Sequence, residues 1–142
     1  MSAQGAREPT GEQLARAWFE HSPLIGALGM RLVSIAPEEA TVELPYRTEL
    51  ATAGDVVHGG AIMSLLDTAA ALAAWSAHDP SKSVRWGTVS VSVSFLASAQ
   101  GRDLEATARV TRRGRSICFC RVDVRDSEQT PIAEALVSYR LG

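Results

Sequence analysis

One long apolar segment interrupts a chain in which apolar and polar residues otherwise alternate. Between Ala61 and Trp75 the residues are mainly alanine and leucine, without proline, which is the composition of a helix. At 100° per residue its apolar positions cover most of the circumference, because Met63 and Ala70 leave little polar surface outside the main apolar face. The pattern therefore predicts a helix that other structure surrounds on most sides.

Period-two alternation predicts strands before and after this helix. The clearest case is Thr88–Phe95, where Val89, Val91, Val93 and Phe95 are expected on the buried side. The other predicted strands are Ala27–Ala36, Glu39–Tyr46, Leu104–Thr111, Ser116–Arg125 and Ile132–Leu141, and short hairpin loops are expected to join the last four strands. Because helices and strands are segregated along the chain, the sequence favours an α+β fold in which a curved antiparallel sheet covers the helix.

The remaining segments are predicted to be a short helix, a tail and two loops. Thr10 and Gln13 match a capping box, so a helix is expected over Gly11–His21. The length of 142 residues suits a single domain, 1–142, that buries a core without disulfides or metal. A flexible tail is expected over residues 1–9, and loops over Arg47–Val57 and Ser76–Val84.

Composition and charge narrow the function classes. The net charge is −2 with no long basic run, so nucleic acid is not an expected partner. No apolar run has membrane-spanning length, and residues 1–9 lack the apolar region of a signal peptide. Cys118 and Cys120 are interpreted as free core thiols, which fits a cytoplasmic protein. His21 and His78 do not have metal-ligand spacing, so no metal is expected.

Asp67 is the one carboxylate in the middle of the apolar helix. Its helical neighbours at positions i±3 and i±4 include no lysine or arginine, and an unpaired buried charge is costly. Asp67 is therefore expected to face a cavity or a subunit boundary, or to act as a general base or nucleophile. A structural acid, hydrogen bonded by Ser64, Thr68 or a partner chain, is the alternative.

The start of the helix, at His58-Gly59-Gly60, is a second candidate site. Glycine lets the backbone approach a ligand closely, and the first N–H groups of a helix are unpaired at the positive end of its dipole. Gly59 and Gly60 could therefore stabilise a developing negative oxygen. Eight residues of helix separate Gly59 from Asp67 by roughly 12 Å, so both act on one carbonyl only if two copies of the chain contribute them. His58 is expected to orient the loop by hydrogen bonding, with a general-base role as the alternative.

These residues resemble a known family signature. The string Gly54-Asp55-Val56-Val57-His58-Gly59-Gly60, followed by Asp67, is similar to that of hotdog-fold acyl-CoA thioesterases of the PaaI-like, phenylacetate-degradation branch. The strand Thr88–Phe95 and the turn at Gly114-Arg115 also lie where that family has comparable features, and the resemblance spans residues 22–142. It implies a hotdog fold of five to six strands around one central helix, thioester hydrolysis, and a homodimer with composite sites. Pairing of such dimers into a homotetramer is left open.

The resemblance also implies roles for individual residues. Gly59, with or without Gly60, would polarise the thioester carbonyl, and Asp67 of the facing protomer would activate water or attack directly. Thr88 lies where the family places a Ser or Thr that holds the attacking water, and an ordinary strand residue is the alternative. Thr52 replaces the asparagine that relatives commonly have six residues before the histidine, a change expected to affect rate or substrate range.

Two further groups of residues are expected to contact the substrate. Arg112, Arg113 and Arg115 could neutralise the phosphates of coenzyme A, with a solvated hairpin tip as the alternative interpretation. The pocket for an apolar acyl or aryl group is expected to include Met63, Leu24, Ile25 and Leu50. No cofactor is expected, because coenzyme A enters only as part of the substrate and the product.

The resulting hypothesis is an enzyme that hydrolyses an acyl- or aryl-acyl-CoA thioester. A thioester carbonyl is already electrophilic, so one polarising dipole and one carboxylate suffice. A non-catalytic acyl-CoA binder or sensor on the same fold is the first alternative, although Asp67 argues against it and a DNA-acting sensor would need a helix-turn-helix segment. A hotdog dehydratase or hydratase is less favoured, because no second acid lies beside His58. A structural or assembly domain is the remaining alternative.

Overall fold

A six-stranded antiparallel sheet covers one long helix in this protein. The computed structural model describes residues 5–82 and 85–142. The sheet has the strand order β1-β2-β6-β7-β8-β5, and β3 and β4 form a separate two-stranded ribbon. The elements are α1 (Gly11–His21), α2 (Pro23–Leu28), β1 (Arg31–Ala36), β2 (Glu39–Leu44), β3 (Ala51–Ala53), β4 (Val56–Val57), α3 (Gly59–Ser76), β5 (Trp86–Phe95), β6 (Leu104–Arg113), β7 (Ile117–Asp126) and β8 (Pro131–Leu141).

The helix α3 forms the centre of the core, as its all-round apolar pattern predicts. It contacts all six strands of the sheet, and α1 covers another part of its surface. Twelve of its 18 residues are buried. Leu65, Leu66 and Leu72 are fully buried, and the alanines between them allow the strands to approach closely. The predicted α+β architecture, a curved antiparallel sheet around one central helix, is confirmed.

The predicted helix α1 has the predicted bounds and cap. The N–H of Gln13 donates to Oγ1 of Thr10 at 3.2 Å, and the N–H of Thr10 donates to Oε1 of Gln13 at 2.9 Å. The first turn of α1 packs against the last turn of α3, because the carbonyl oxygens of Trp75 and His78 occupy the space where a Cβ at Gly11 would lie. A glycine is therefore needed where the two helices meet.

The strand predicted from Ala27 begins four residues later than expected. A second short helix, α2, occupies Pro23–Leu28, and Gly29 ends it in the left-handed conformation with φ of 73°. Proline at the first position and glycine just after the last position are strong helix-boundary signals, which the strand prediction overlooked. The second strand is shorter than predicted, because it ends at Leu44 instead of Tyr46.

The strand β5 differs most from its prediction. It pairs with β8 and not with β6, so the chain crosses over between β5 and β6 instead of forming a hairpin. The hairpins β6-β7 and β7-β8 are as predicted. Val91 and Val93 are half-buried beneath the sheet, but Val89 and Phe95 are exposed, contrary to the alternation argument. A register shift between Thr88 and Ser90 displaces Val89, and an edge strand has no neighbour on its outer side.

The two predicted loops contain short regular segments. Arg47–Val57 includes a 3-10 turn at Thr48–Leu50 and the ribbon of β3 and β4. The second loop contains a 3-10 turn at Pro80–Lys82, and its residues 83 and 84, like residues 1–4 of the predicted tail, lie outside the described residues. Residues 5–10 are exposed and belong to no helix or strand. No helix within residues 5–82 and 85–142 has the length and hydropathy that crossing a membrane requires.

Candidate active site

Asp67 lies halfway along α3, where its carboxylate is held by the neighbouring strand. The hydroxyl of Thr88 donates to Oδ1 of Asp67 at 2.6 Å, a short charge-assisted bond. Within the described residues, Thr88 is the one hydrogen-bond partner of this carboxylate, and no lysine or arginine pairs with it. Ser64, a possible local partner, donates instead to the carbonyl of Gly60. Asp67 is thus oriented by one donor and not neutralised by a cation.

Asp67 and Thr88 line a cavity of about 370 Å³ between α3, α2 and the start of β5. Leu24 and Ile25 of the predicted substrate pocket line it as well. Met63 is exposed on α3 and Leu50 is buried in the core, so neither lines this cavity in the single chain. The complete lining is Trp18, Ser22, Leu24, Ile25, Ser64, Asp67, Thr68, Ala71, Trp86, Gly87, Thr88 and Tyr139.

Tyr139 is a buried polar residue at this cavity that the sequence patterns did not single out. It lies opposite Thr88 on β8, and its hydroxyl oxygen accepts a hydrogen bond from Nε1 of Trp75 at 3.1 Å. Burial, with a smaller contribution from the negative charge of Asp67, raises the pKa of Tyr139 to about 12, although the Trp75 bond opposes the shift. Tyr139 is therefore neutral at physiological pH. Its buried place in a strand of regular alternation resembles any core position, so no sequence signal marked it.

The N-terminus of α3 is arranged by His58, which is the N-cap residue of the helix. Nδ1 of His58 accepts the N–H of Gly60 at 2.7 Å, and the carbonyl of His58 accepts the N–H groups of Ala61 and Ile62. The predicted orienting role of His58 matches this geometry. Because Gly60 donates to His58, its N–H is not available to a ligand. The N–H of Gly59 makes no hydrogen bond within the described residues, so it is the free donor at the positive end of the helix.

Gly59 faces a different cavity from Asp67. It lines an open groove of about 450 Å³ together with Thr52 and Phe95, and this groove shares no lining residue with the Asp67 cavity. Eight residues of helix correspond to roughly 12 Å between the two positions. A single chain therefore presents the free N–H and the carboxylate to separate spaces.

The predicted coenzyme A arginines are not equivalent. Nε of Arg113 donates to Oε1 of Glu38 at 2.9 Å, and Nη2 donates to the carbonyl of Ala74 at 2.8 Å. Arg113 therefore holds β6 against the C-terminal end of α3, where a positive charge is favourable. Arg112 and Arg115 are exposed at or beside the hairpin tip. Arg113 and Arg115 also border a cavity of about 270 Å³ that is separate from the Asp67 cavity.

An exposed apolar strip runs along the outer edge of β5 and past its end. Trp86, Val89, Phe95 and Leu96 are each at least half exposed, at 58%, 60%, 51% and 51%. The strip reaches from the Asp67 cavity, which Trp86 lines, to the Gly59 groove, which Phe95 and Leu96 line. An unpaired strand edge bordered by large apolar side chains is typical of a protein interface.

The sequence is similar to a known protein family and to named relatives. Residues 54–133 match the model of the Thioesterase superfamily. The chain is 29% identical over 157 aligned positions, covering all of both proteins, to the medium/long-chain acyl-CoA thioesterase YigI of Escherichia coli K12. The corresponding YigI protein of Salmonella typhimurium is 27% identical over the same coverage.

Solved structures have the same fold. The PaaI protein of the E. coli phenylacetic acid degradation operon superposes with a TM-score of 0.81 at 22% identity, covering 93% of each chain. A thioesterase family protein of Silicibacter pomeroyi gives 0.85 at 24% identity, covering 93% of this chain and 99% of the other. The predicted hotdog architecture is thereby confirmed.

Proposed function

The chain belongs to the Thioesterase superfamily, and we propose that it hydrolyses an acyl-CoA thioester to the free acid and coenzyme A at a site shared by two copies of the chain. The observation that carries this proposal is that Gly59 and Asp67 of one chain line separate cavities. A free amide N–H at Gly59 and an oriented carboxylate at Asp67 are the two groups that thioester hydrolysis needs, yet each faces its own cavity. In the proposed dimer, the second copy supplies an Asp67 carboxylate to the Gly59 groove of the first copy and a Gly59 N–H to its Asp67 cavity.

The proposed chemistry assigns one task to each group. The N–H of Gly59, at the positive end of α3, donates to the thioester carbonyl oxygen and stabilises the negative charge that develops on it. Asp67 of the partner removes a proton from water, whose oxygen attacks the carbonyl carbon. The carbon–sulfur bond then breaks, and the thiolate of coenzyme A leaves and is protonated. Direct attack by Asp67, followed by hydrolysis of the resulting anhydride, uses the same placement.

Thr88 orients the carboxylate in this proposal. Its hydroxyl proton is donated to Oδ1 of Asp67, so its oxygen lone pairs remain able to accept a hydrogen bond from the attacking water. The family resemblance implies that Thr88 holds the attacking water, and in this proposal Thr88 also orients Asp67. Thr52 borders the Gly59 groove and has a hydroxyl that is suited to the carbonyl side of the site.

The proposed dimer docks two copies along β5. The outer edge of this strand has unpaired backbone groups, and the apolar strip of Trp86, Val89, Phe95 and Leu96 lies beside it. Burying that strip removes apolar surface from water, which favours association. Pairing of dimers into a tetramer and a cytoplasmic location remain expectations from the sequence.

The proposed substrate is an acyl-CoA whose acyl group is apolar. The relative YigI carries the name of a medium/long-chain acyl-CoA thioesterase, and the Asp67 cavity is lined mainly by apolar side chains, including Leu24 and Ile25. Of the three arginines, Arg112 and Arg115 are the exposed ones that could approach the phosphates of coenzyme A, while Arg113 is engaged by Glu38 and Ala74.

A mixed dimer tests the shared site. Asp67→Asn and Gly59→Pro chains carrying different affinity tags are co-expressed, and the doubly tagged dimer is purified. Proline at the first helical position removes the N–H and adds a ring whose Cβ would lie 3.4 Å from the Phe95 ring, and His58, with φ of −62° and ψ of 134°, already has a backbone that precedes proline well.

The mixed dimer contains one intact pair of groups, so it is expected to hydrolyse octanoyl-CoA at about half the wild-type rate, whereas each pure variant is nearly inactive. A mixed dimer as inactive as its parents would overturn the shared site. A wild-type protein that binds octanoyl-CoA without releasing a thiol would instead favour the non-catalytic binder.

A further inference from the structure

All three tryptophans of the chain converge on one cavity outside the central core. The chain contains three tryptophans, and Trp18 of α1, Trp75 of α3 and Trp86 of β5 all line the same space of about 280 Å³. Leu14, Ala15 and Tyr139 complete its walls. We name this space the tryptophan chamber. An apolar surface pocket bordered by three indole rings is suited to an apolar ligand group, because filling it removes those rings from water.

The tryptophan chamber adjoins the Asp67 cavity. Trp18, Trp86 and Tyr139 line both spaces, so these three side chains form the boundary between them. A ligand group that extends past Asp67, Trp18 and Trp86 therefore reaches Trp75, the tryptophan that lines the chamber and not the Asp67 cavity. The groove at Gly59 shares no residue with the chamber, which gives the chamber a defined position on the carboxylate side of the site.

The chamber is lined by aromatic and apolar side chains. Nε1 of Trp75 donates to the hydroxyl of Tyr139, and the Trp75 ring meets the Trp86 ring edge to face with centroids 6.4 Å apart. Tyr139 is neutral at physiological pH, as an ordinary tyrosine is, and burial raises its pKa further. Large fixed aromatic surfaces with a single hydroxyl are suited to an apolar group and disfavour a charged one.

We propose that the tryptophan chamber is the subsite for the far end of the acyl group, and that Trp18 and Trp86 determine how long an acyl group this protein accepts. This inference rests on the thioester hydrolysis proposed above. An acetyl group ends beside Asp67 and does not reach the chamber. A medium-length acyl group passes Trp18 and Trp86 and buries its last methylenes against Trp75.

Two variants change the chamber in opposite directions. Leu14→Trp adds a ring that fills the chamber from α1, and Trp18→Leu opens its boundary with the Asp67 cavity. Neither residue touches the reacting atoms. Phe119→Ala is the matched control, because Phe119 is a half-exposed aromatic residue on a strand that contributes nothing to the chamber.

The experiment measures kcat/KM for acetyl-, hexanoyl-, octanoyl-, decanoyl- and dodecanoyl-CoA. For the wild-type protein we expect a rise of about fourfold for each methylene that enters the chamber, followed by a plateau once it is full. Leu14→Trp is expected to lower kcat/KM at least tenfold for octanoyl-CoA and leave acetyl-CoA unchanged. Trp18→Leu is expected to move the optimum to a longer chain. Phe119→Ala is expected to leave the whole profile unchanged.

A binding measurement covers the case in which a variant folds poorly. Because Trp75 lines the chamber but not the Asp67 cavity, octanoyl-CoA added to the Asp67→Asn protein is expected to change the tryptophan fluorescence more than acetyl-CoA does. Equal losses for acetyl- and octanoyl-CoA in Leu14→Trp, or equal fluorescence changes with both, would overturn the chamber assignment while leaving hydrolysis intact. Absence of hydrolysis of every acyl-CoA by the wild-type protein would instead overturn the proposed function.

Discussion

The beginning and the middle of α3 present their functional groups in opposite ways. At Gly59 the group is a backbone N–H, left free because the helix has no earlier turn to accept it, and it lies in an open groove. At Asp67 the group is a side chain, inside a cavity and oriented by a single hydroxyl from β5. The first depends on where the helix begins, and the second depends on which strand packs beside the helix.

This difference decides how each region responds to substitution. Adding a side chain at position 59 leaves the backbone N–H in place, so only removal of the N–H itself affects the proposed donor. At position 67 even a change of one atom alters the chemistry, because a carboxylate accepts a proton and an amide does not. The following substitutions test the two regions separately, in order of decreasing effect.

Asp67→Asn is expected to have the largest effect. The amide has the same size, so the cavity and the dimer are retained, but the proposed proton acceptor is lost. We expect kcat for octanoyl-CoA to fall by about 10²–10⁴-fold while the affinity for the substrate persists. Steady-state kinetics together with calorimetric binding would measure both quantities. Unchanged turnover would show that Asp67 is a structural acid.

Gly59→Pro removes the free N–H of α3 and is expected to lower kcat by about 10²–10³-fold. Gly59→Ala is the matched control, because it keeps the N–H and its added Cβ would lie 3.4 Å from the Phe95 ring, which is ordinary van der Waals contact. We expect the alanine variant to lose much less activity than the proline variant. Equal losses in both would mean that space at the groove matters and the N–H does not.

Thr88→Val tests the hydrogen bond that orients Asp67. Valine has the shape of threonine without the hydroxyl, so Oδ1 of Asp67 loses its donor and the carboxylate becomes free to rotate. We expect kcat to fall about tenfold with KM nearly unchanged, the size expected for one hydrogen bond to a charged group. Thr88→Ser keeps the hydroxyl and is expected to restore most of the activity. If serine and valine behave alike, Thr88 is an ordinary strand residue.

His58→Ala is expected to have the smallest effect on catalysis and a measurable effect on stability. It removes the acceptor for the N–H of Gly60. The free energy of unfolding is expected to fall by about 1 kcal/mol and the Tm by about 4 °C. His58→Asn also supplies an N-cap acceptor, without adding a negative charge beside the Gly59 N–H, and is expected to restore the Tm. A loss of kcat by more than tenfold in both variants would favour the general-base alternative for His58.

Local rules are enough to place the parts of the proposed site that lie on one helix. One continuous segment contains the lone carboxylate and the histidine-glycine-glycine start of the apolar helix. Helix geometry alone therefore places them, at a spacing of roughly 12 Å. The capping box at Thr10 and Gln13 likewise acts over three residues and gave α1 its bounds. Local rules failed at Ala27, where the end of α2 interrupted an apolar run that resembled a strand.

The sequence alone determined α1, α3 and most strands of the large sheet, the central place of α3 and the two groups that it contributes, because helix periodicity and end effects act within a few residues. Only the tertiary structure decided that β5 pairs with β8 at the edge of the sheet, that Thr88 reaches Asp67, that Arg113 is held by Glu38, and that three tryptophans far apart in the chain line one chamber. Those arrangements depend on the pairing of strands that are far apart in the sequence. The free energy of such pairing comes from the packing of the whole core, and no short segment encodes it.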